Sequence, residues 1–229
     1  MVRTSVACIA LAASLACAGP EWPEGGDAGS LPGSAQPIGS GGGGMVTKII
    51  GELSGPPGLP ETGLGDYQDM YLIFICDPTN FMASTSPDLN GAATFNASLW
   101  LFSLDGRGLL ANQDIGPGDT HATLLPDSND GTGVLLVNPG LYYLAISGAG
   151  SVPTSSPGDQ HIFSFGFPGE VSGPDGPGGL NPITGWDQPG EYGQYEIALR
   201  GVCFIVPAPA SVTLLASVSL LGVGRKRRS

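Results

Sequence analysis

The chain has 229 residues, of which 38 are glycine and 21 are proline, and only 12% are charged. Its formal net charge is −12, and all twenty acidic residues lie between Glu21 and Glu196, whereas the segment between the two ends of the chain has only Lys48, Arg107 and Arg200 as basic residues. A surface this acidic repels phosphate backbones, so nucleic acid is not expected as a partner. The glycine and proline content favours short strands joined by turns over long helices.

Residues 1–18 have the pattern of a signal peptide. Arg3 gives the positive start, an apolar run follows over residues 6–15, and small residues flank Cys17 at the expected cleavage site. Because a bilayer span takes about 20 residues, this run is too short to cross a membrane. A buried N-terminal helix is one alternative. Lipidation at Cys17 is another, although Ser14 stands where a lipobox has leucine.

Residues 206–229 contain a short motif, an uncharged apolar stretch and a basic tail, in that order. Residues 208–224 number 17, the lower limit for a transmembrane helix, and the basic residues after them favour a cytoplasmic tail. The order resembles the PEP-CTERM sorting signal, which an exosortase cleaves; a membrane anchor that stays uncleaved is the alternative. Ala208 stands where that motif usually has glutamate. The signal residues are Val206, Pro207, Ala208, Pro209, Arg225, Lys226, Arg227 and Arg228.

Between these ends the sequence predicts a flexible Gly/Pro-rich lead over residues 19–44 and one β-rich ectodomain over residues 45–205. Turn signals such as Asp105-Gly106 and Asn138-Pro139-Gly140 separate short apolar runs, and no window of the ectodomain has a helical period. An all-β sandwich is therefore expected. The strand candidates are residues 45–53, 71–76, 81–86, a hairpin at 98–111, 134–137, 141–147, 161–167 and 192–205.

Cys76 and Cys203 are the two cysteines outside the signal peptide. In an exported domain, two cysteines favour one disulfide bond. The alternative is two buried free thiols, because cysteine also packs as a small hydrophobic residue.

A series of strand and turn segments carries a resemblance to a known family. The segments are residues 27–32, 69–78, 81–85, 101–102, 105–108, 112–114, 139–147, 195–199 and 203–204. In this order they resemble the pre-peptidase C-terminal-like (PPC-like) domains of exported bacterial proteins. The resemblance implies a single jelly-roll-like sandwich, here set between an N-terminal signal helix and a C-terminal transmembrane helix. Such a domain is often an accessory module, and no catalytic residues carry over.

Two polar loops contain candidate calcium ligands. Calcium is bound by clustered carboxylate and carbonyl oxygens, and the candidates are Asn112, Asp114, Asp127, Asn129 and Asp130. The loop that starts at Asp127 does not follow the spacing of an EF-hand, so a polar Asx-type turn is the alternative.

Catalytic patterns are not found. Neither His121 nor His161 lies near a G-x-S-x-G elbow, and no zinc-binding Cys-x-x-Cys or His-Glu-x-x-His spacing occurs. The glycines of residues 39–44 match G-x-G-x-x-G but lack a strand before them and a helix after them.

These patterns predict an exported, surface-anchored or surface-sorted, non-catalytic structural or interaction protein of the cell envelope or extracellular matrix, without a cofactor. Its expected partners are the export machinery, an exosortase-type enzyme, the membrane through the C-terminal helix, and extracellular polysaccharide. The alternative is a calcium- or glycan-binding accessory module, with Trp186 as a glycan contact unless that side chain is packed. A hydrolase of unrecognised type comes third.

Deletion of Arg225, Lys226, Arg227 and Arg228 should impair membrane retention or sorting, because the basic cluster fixes orientation and stops transfer. Cell fractionation of the full chain and the truncated chain measures this effect. A variant with lysine at all four positions keeps the charge and serves as the control. Identical fractionation of the deletion and the full chain would count against the three-part signal.

Overall fold

Strands with alternating inward and outward side chains organise the chain. The computed structural model describes residues 20–39, 43–57 and 65–206. Within these ranges there is no α-helix, only the single-turn 3₁₀ helices Pro78–Asn80 and Pro87–Leu89. No helix in the described residues is long and apolar enough to cross a membrane. The expected signal helix and transmembrane helix fall outside the described residues.

Fifteen strands are present among the described residues, and most are short. In chain order they are β1 (Glu21–Pro23), β2 (Gln36–Pro37), β3 (Lys48–Leu53), β4 (Gln68–Ile75), β5 (Met82–Ser84), β6 (Ala92–Ala93), β7 (Ala97–Ser103), β8 (Gly108–Asn112), β9 (Thr123–Leu124), β10 (Gly140–Gly148), β11 (Pro153–Ser155), β12 (Gln160–His161), β13 (Ile183–Trp186), β14 (Gly193–Arg200) and β15 (Val202–Cys203).

The strands form two larger sheets and one small sheet. The first sheet has the order β1-β3-β14-β5-β9, with β6 also paired to β14. The second has the order β15-β4-β10-β7-β8, with β2 also paired to β4, and the third has the order β12-β11-β13. The two larger sheets enclose the main core, so the predicted all-β sandwich is confirmed at this level.

Strand β4 is buried on both faces, and this burial explains why its sequence is almost continuously apolar. Tyr71 and Ile73 point into the main core between the two larger sheets. Met70, on the opposite face, joins a second core with Trp100 and Ile183. A strand buried on both faces has apolar residues on both, so its sequence lacks the alternation of apolar and polar residues. The third sheet and its loops thus act as a third layer over the second sheet.

The lead segment is partly built into the sandwich. β1 pairs in parallel with β3, and β2 pairs in parallel with β4. Ala28 and Ile38 are fully buried in the main core. Pairings of two or three residues leave no periodic trace in the sequence, which is why the segment was expected to be flexible.

Several predicted strands are present, and two are much shorter than predicted. The 98–111 hairpin is confirmed as β7 and β8, with Gly106 at a φ of 81° in its turn. Residues 134–137 contain only an isolated bridge at Leu135, and the strand expected at 161–167 is limited to β12. The remaining residues of these two stretches form loops, which isolated hydrogen bonds hold to their neighbours.

A disulfide joins Cys76 to Cys203, as the sequence predicts, with the two Cα atoms 5.8 Å apart. Cys76 directly follows β4, and β15, which contains Cys203, pairs with β4. The bond therefore fastens two neighbouring strands of the second sheet across a separation of 127 residues.

Reduction of this disulfide should lower the free energy of unfolding by at most about 4–5 kcal/mol, the chain-entropy value for so long a loop. Urea unfolding of the full chain with and without reductant measures the loss. A Cys76→Ser/Cys203→Ser variant should match the reduced protein and no longer respond to reductant. An unchanged midpoint after complete reduction would contradict the predicted contribution.

Candidate functional site

Four acidic residues converge where the lead segment passes the start of β4. They are Glu24, Asp27, Asp66 and Asp69, and we refer to them as the acidic cluster. One carboxylate oxygen from each of Asp27, Asp66 and Asp69 lies within 4.8 Å of the others. The charge of Glu24 also raises the pKa of Asp69. Such convergence of negative charge is the main chemical feature of the described residues.

Backbone pairing brings the members of the cluster together. The amide of Glu24 donates to the carbonyl of Ile50, which extends the pairing of β1 with β3. The amide of Met70 donates to the carbonyl of Gly29, which holds the turn containing Asp27 against β4. Asp66 exchanges two backbone hydrogen bonds with Gly55. The carboxylates therefore meet because three separate segments are fixed by main-chain bonds.

Nearby amides orient three of the carboxylates. Glu24 accepts hydrogen bonds from the amides of Ala28, at 2.9 Å, and Glu52, at 3.1 Å. Asp27 accepts from the amide of Gly29 at 2.7 Å, and Asp66 accepts from the amide of Ser54 at 2.7 Å. An ionised carboxylate has about four lone-pair positions, so each group keeps acceptor capacity for a further ligand.

Asp69 is the buried centre of the cluster, with no exposed surface. Its Oδ2 accepts a hydrogen bond from the Tyr195 hydroxyl at 2.5 Å, and that hydroxyl lies 2.5 Å from the hydroxyl of Tyr71. Because Tyr195 donates to Asp69, it accepts from Tyr71. The other oxygen, Oδ1, has no hydrogen-bond partner among the described residues. A buried oxygen in this state is costly, so the position favours a further bonding partner.

Gly51 of β3 makes room for this arrangement. A Cβ atom at this position would collide with the Tyr195 hydroxyl and with the carboxylate of Glu24. Glycine therefore allows the tyrosine ring to pass under β3 and reach Asp69.

Burial and like charge dominate the electrostatics. Burial raises the pKa of Asp69 to about 8, the Tyr195 hydrogen bond opposes that rise, and Glu24, Asp66 and Asp27 add to it. Burial also raises the pKa of Glu24 and of Asp66. The adjoining pocket, of about 200 Å³, has no basic side chain among its lining residues. The site is therefore suited to a positively charged ligand, and its all-oxygen donor set is typical of hard cations.

The sequence-predicted calcium candidates mostly tie loops together. Asn112 is buried; its Oδ1 accepts from the amide of Thr123 and its Nδ2 donates to two backbone carbonyls. Asn129 accepts from the amide of Val171, and Asp130 accepts from the amide of Thr132 in an Asx turn. Calcium binding at Asn112, Asp114, Asp127, Asn129 and Asp130 stays a prediction.

The other residues considered for function are also accounted for. His121 lies 2.8 Å from Asp119 and His161 lies 3.1 Å from Asp187, each through one ring nitrogen. Trp186 is half-buried, and its indole packs against that of Trp100 with the ring centroids 6.0 Å apart. Its position in the second core matches the packed alternative for this side chain.

The acidic cluster was missed because its members lie in two segments about 40 residues apart that lack strand patterns. One weak signal was available. Glu24 and Asp27 are spaced i, i+3, and Asp66 and Asp69 repeat that spacing where the apolar strand β4 begins. Only the fold brings the two pairs together.

Comparison of the chain with protein-family models, with curated proteins and with solved structures gives no match. The functional assignment therefore depends on the residues and geometry of the chain itself.

With a chelator present, the free energy of unfolding should fall as pH rises towards about 8, where folded Asp69 titrates. The unfolded chain loses this proton near pH 4, whereas the folded chain keeps it, so each pH unit between those values costs up to about 1.4 kcal/mol. Urea unfolding at pH 6 and pH 7.5, both below the folded pKa, measures the slope.

Asp69→Asn removes this titration and should flatten the dependence of the free energy of unfolding on pH. Asp127→Asn, at an exposed position, should leave that dependence unchanged. Equal slopes for the wild type and Asp69→Asn would show that Asp69 does not titrate in this range.

Proposed function

We propose that this chain is an exported, non-catalytic protein of the cell envelope or extracellular matrix whose β-sandwich binds calcium at the acidic cluster. The observation that carries the calcium assignment is Asp69. Its carboxylate is fully buried, one of its oxygens has no partner among the described residues, and Asp27 and Asp66 lie beside it.

A bound cation would remove the main electrostatic cost of this site. A buried carboxylate is unfavourable when ionised, and three neighbouring acids make it more so. A divalent ion converts that repulsion into coordination, because the ion becomes the largest local charge. Oδ1 of Asp69 would gain the partner that the described protein atoms do not provide.

The donor set favours calcium over other ions. Zinc prefers nitrogen and sulfur ligands, whereas the grouped ligands here are Asp27, Asp66 and Asp69 alone. Magnesium requires near-ideal octahedral geometry, whereas calcium accepts six to eight oxygens in irregular arrangements. Carboxylates from a turn, a loop and a strand start make up such an irregular set.

Features of the sequence and of the described structure support export and sorting of the chain. A signal peptide, a PPC-like jelly-roll sandwich and a PEP-CTERM-like signal would place the domain outside the cytoplasm. The Cys76–Cys203 bond is consistent with an oxidising compartment. The last described residues stay on the sandwich after this bond, since Ile205 pairs with Gly39. A sorting signal that starts at Val206 would thus be attached to a fastened strand.

Isothermal titration of the full chain should show calcium binding that Asp69→Asn abolishes and Asp66→Asn weakens by at least about tenfold. Calcium at 100 times its dissociation constant should stabilise the wild type by about 2.7 kcal/mol. Magnesium should bind more weakly, because its coordination is stricter.

Asp127→Asn, in the loop of the sequence-predicted candidates, is the matched control and should bind calcium as the wild type does. Far-ultraviolet circular dichroism checks that each variant is folded. Absence of calcium binding, or its loss in Asp127→Asn but not in Asp69→Asn, would overturn the assignment to the acidic cluster.

A further inference from the structure

A second concave site lies at the third layer, and none of its lining residues belongs to the acidic cluster. Two adjoining pockets of about 560 Å³ and 230 Å³ share Gln113 and Phe165 in their walls. The larger one is within the size range of small-ligand sites. We call the combined surface the aromatic groove, and its walls include Gln113, His161, Phe163, Ser164, Phe165 and Phe167.

The aromatic side chains have a firm base. The ring of Trp100 lies 5.7 Å from that of Phe163 and 6.0 Å from that of Phe165, measured between centroids. Phe163 also packs at 6.1 Å against Phe102 of β7. Phe165 is half-buried and Phe167 is 49% exposed, so aromatic surface continues from this core to solvent.

Hydrogen bonds fix the rim of the groove. Asn112 donates to the carbonyls of Asp114 and Glu170, and the amide of Gly169 also donates to the carbonyl of Asp114. The buried carboxylate of Glu170 accepts from the amides of Gly166, at 2.6 Å, and Phe167, at 3.2 Å. The walls are therefore held in place before any ligand arrives, which lowers the entropy cost of binding.

Polar side chains at the groove have unused hydrogen-bonding capacity. The side chains of Gln113, Asp114 and Ser164 make no hydrogen bond to any described residue, and His161 uses only one ring nitrogen, towards Asp187. An amide, a hydroxyl, a carboxylate and an imidazole thus surround aromatic surface. Apolar walls with a few convergent polar groups are typical of ligand sites.

The chemistry of the walls selects the ligand. No lysine or arginine lines either pocket, and Asp114 adds negative charge, so phosphates and acidic sugars are disfavoured. Aromatic rings present a large apolar surface to the aliphatic C–H groups of a sugar ring, while amide and hydroxyl groups can bond its hydroxyls. We propose that the aromatic groove binds a neutral oligosaccharide.

Titration of the full chain with neutral pentasaccharides of glucose, mannose and galactose tests this assignment, with oligogalacturonate as the acidic comparison. At least one neutral sugar should bind, and the acidic one should not. Gln113→Ala and Ser164→Ala should each weaken binding by about three- to tenfold, the effect of one hydrogen bond. Both side chains lack partners among the described residues, so these variants should fold normally.

Gln194→Ala changes a matched exposed glutamine on the first sheet and should leave sugar binding unchanged. Phe165→Ala should weaken binding further, with thermal unfolding as the check on its packing against Trp100. Binding should persist in a chelator, which separates this site from the acidic cluster. The assignment is overturned if no neutral sugar binds at millimolar concentration, if Gln113→Ala and Ser164→Ala bind normally, or if oligogalacturonate binds best.

Discussion

The hydrogen-bonded series from Tyr71 through Tyr195 to Asp69 joins the two larger sheets, and the candidate cation site depends on it. Tyr71 and Asp69 belong to β4 of the second sheet, and Tyr195 belongs to β14 of the first. Asp69 and Tyr71 face the same side because strand residues two apart share a face. A one-residue slip of β4 would turn both away from Tyr195, so the site requires the register that packs the core.

Strand β4 is fastened at both ends. At its start, a backbone hydrogen bond from Met70 to Gly29 holds the turn that contains Asp27, and Asp66 of the preceding loop lies beside it. At its end, the disulfide binds Cys76 to the last strand. Between these points every second side chain enters the main core, and Met70 enters the second core. The same strand therefore links the lead segment, both hydrophobic cores and the last of the described strands.

The sequence predicts the parts of this fold that rely on local patterns. Apolar runs mark β4, β7 and β10, the Asp105-Gly106 turn marks the hairpin, and two cysteines mark the disulfide. The third layer was not predicted, because β11 and β13 are short, contain proline or glycine, and pair only with one another and with β12. The acidic cluster was not predicted either. Its key contact joins Asp69 to Tyr195 across 126 residues, and no local pattern encodes such a contact.

The disulfide and the proposed calcium site, at opposite ends of β4, both depend on the compartment in which the protein folds. A disulfide forms in oxidising compartments and not in a reducing cytoplasm. Calcium sites of extracellular modules are commonly weak and fill only where the ion is abundant. Under the proposed function, therefore, calcium would bind at the start of β4 and the disulfide would form at its end only after export, where calcium and oxidising conditions occur together. Before then, docking of the lead segment would keep Asp69 protonated, since Glu24 and Asp27 raise the cost of its ionisation. The position of the acidic cluster, partly within the segment that follows the predicted signal peptide, is consistent with such coupling between delivery and final folding.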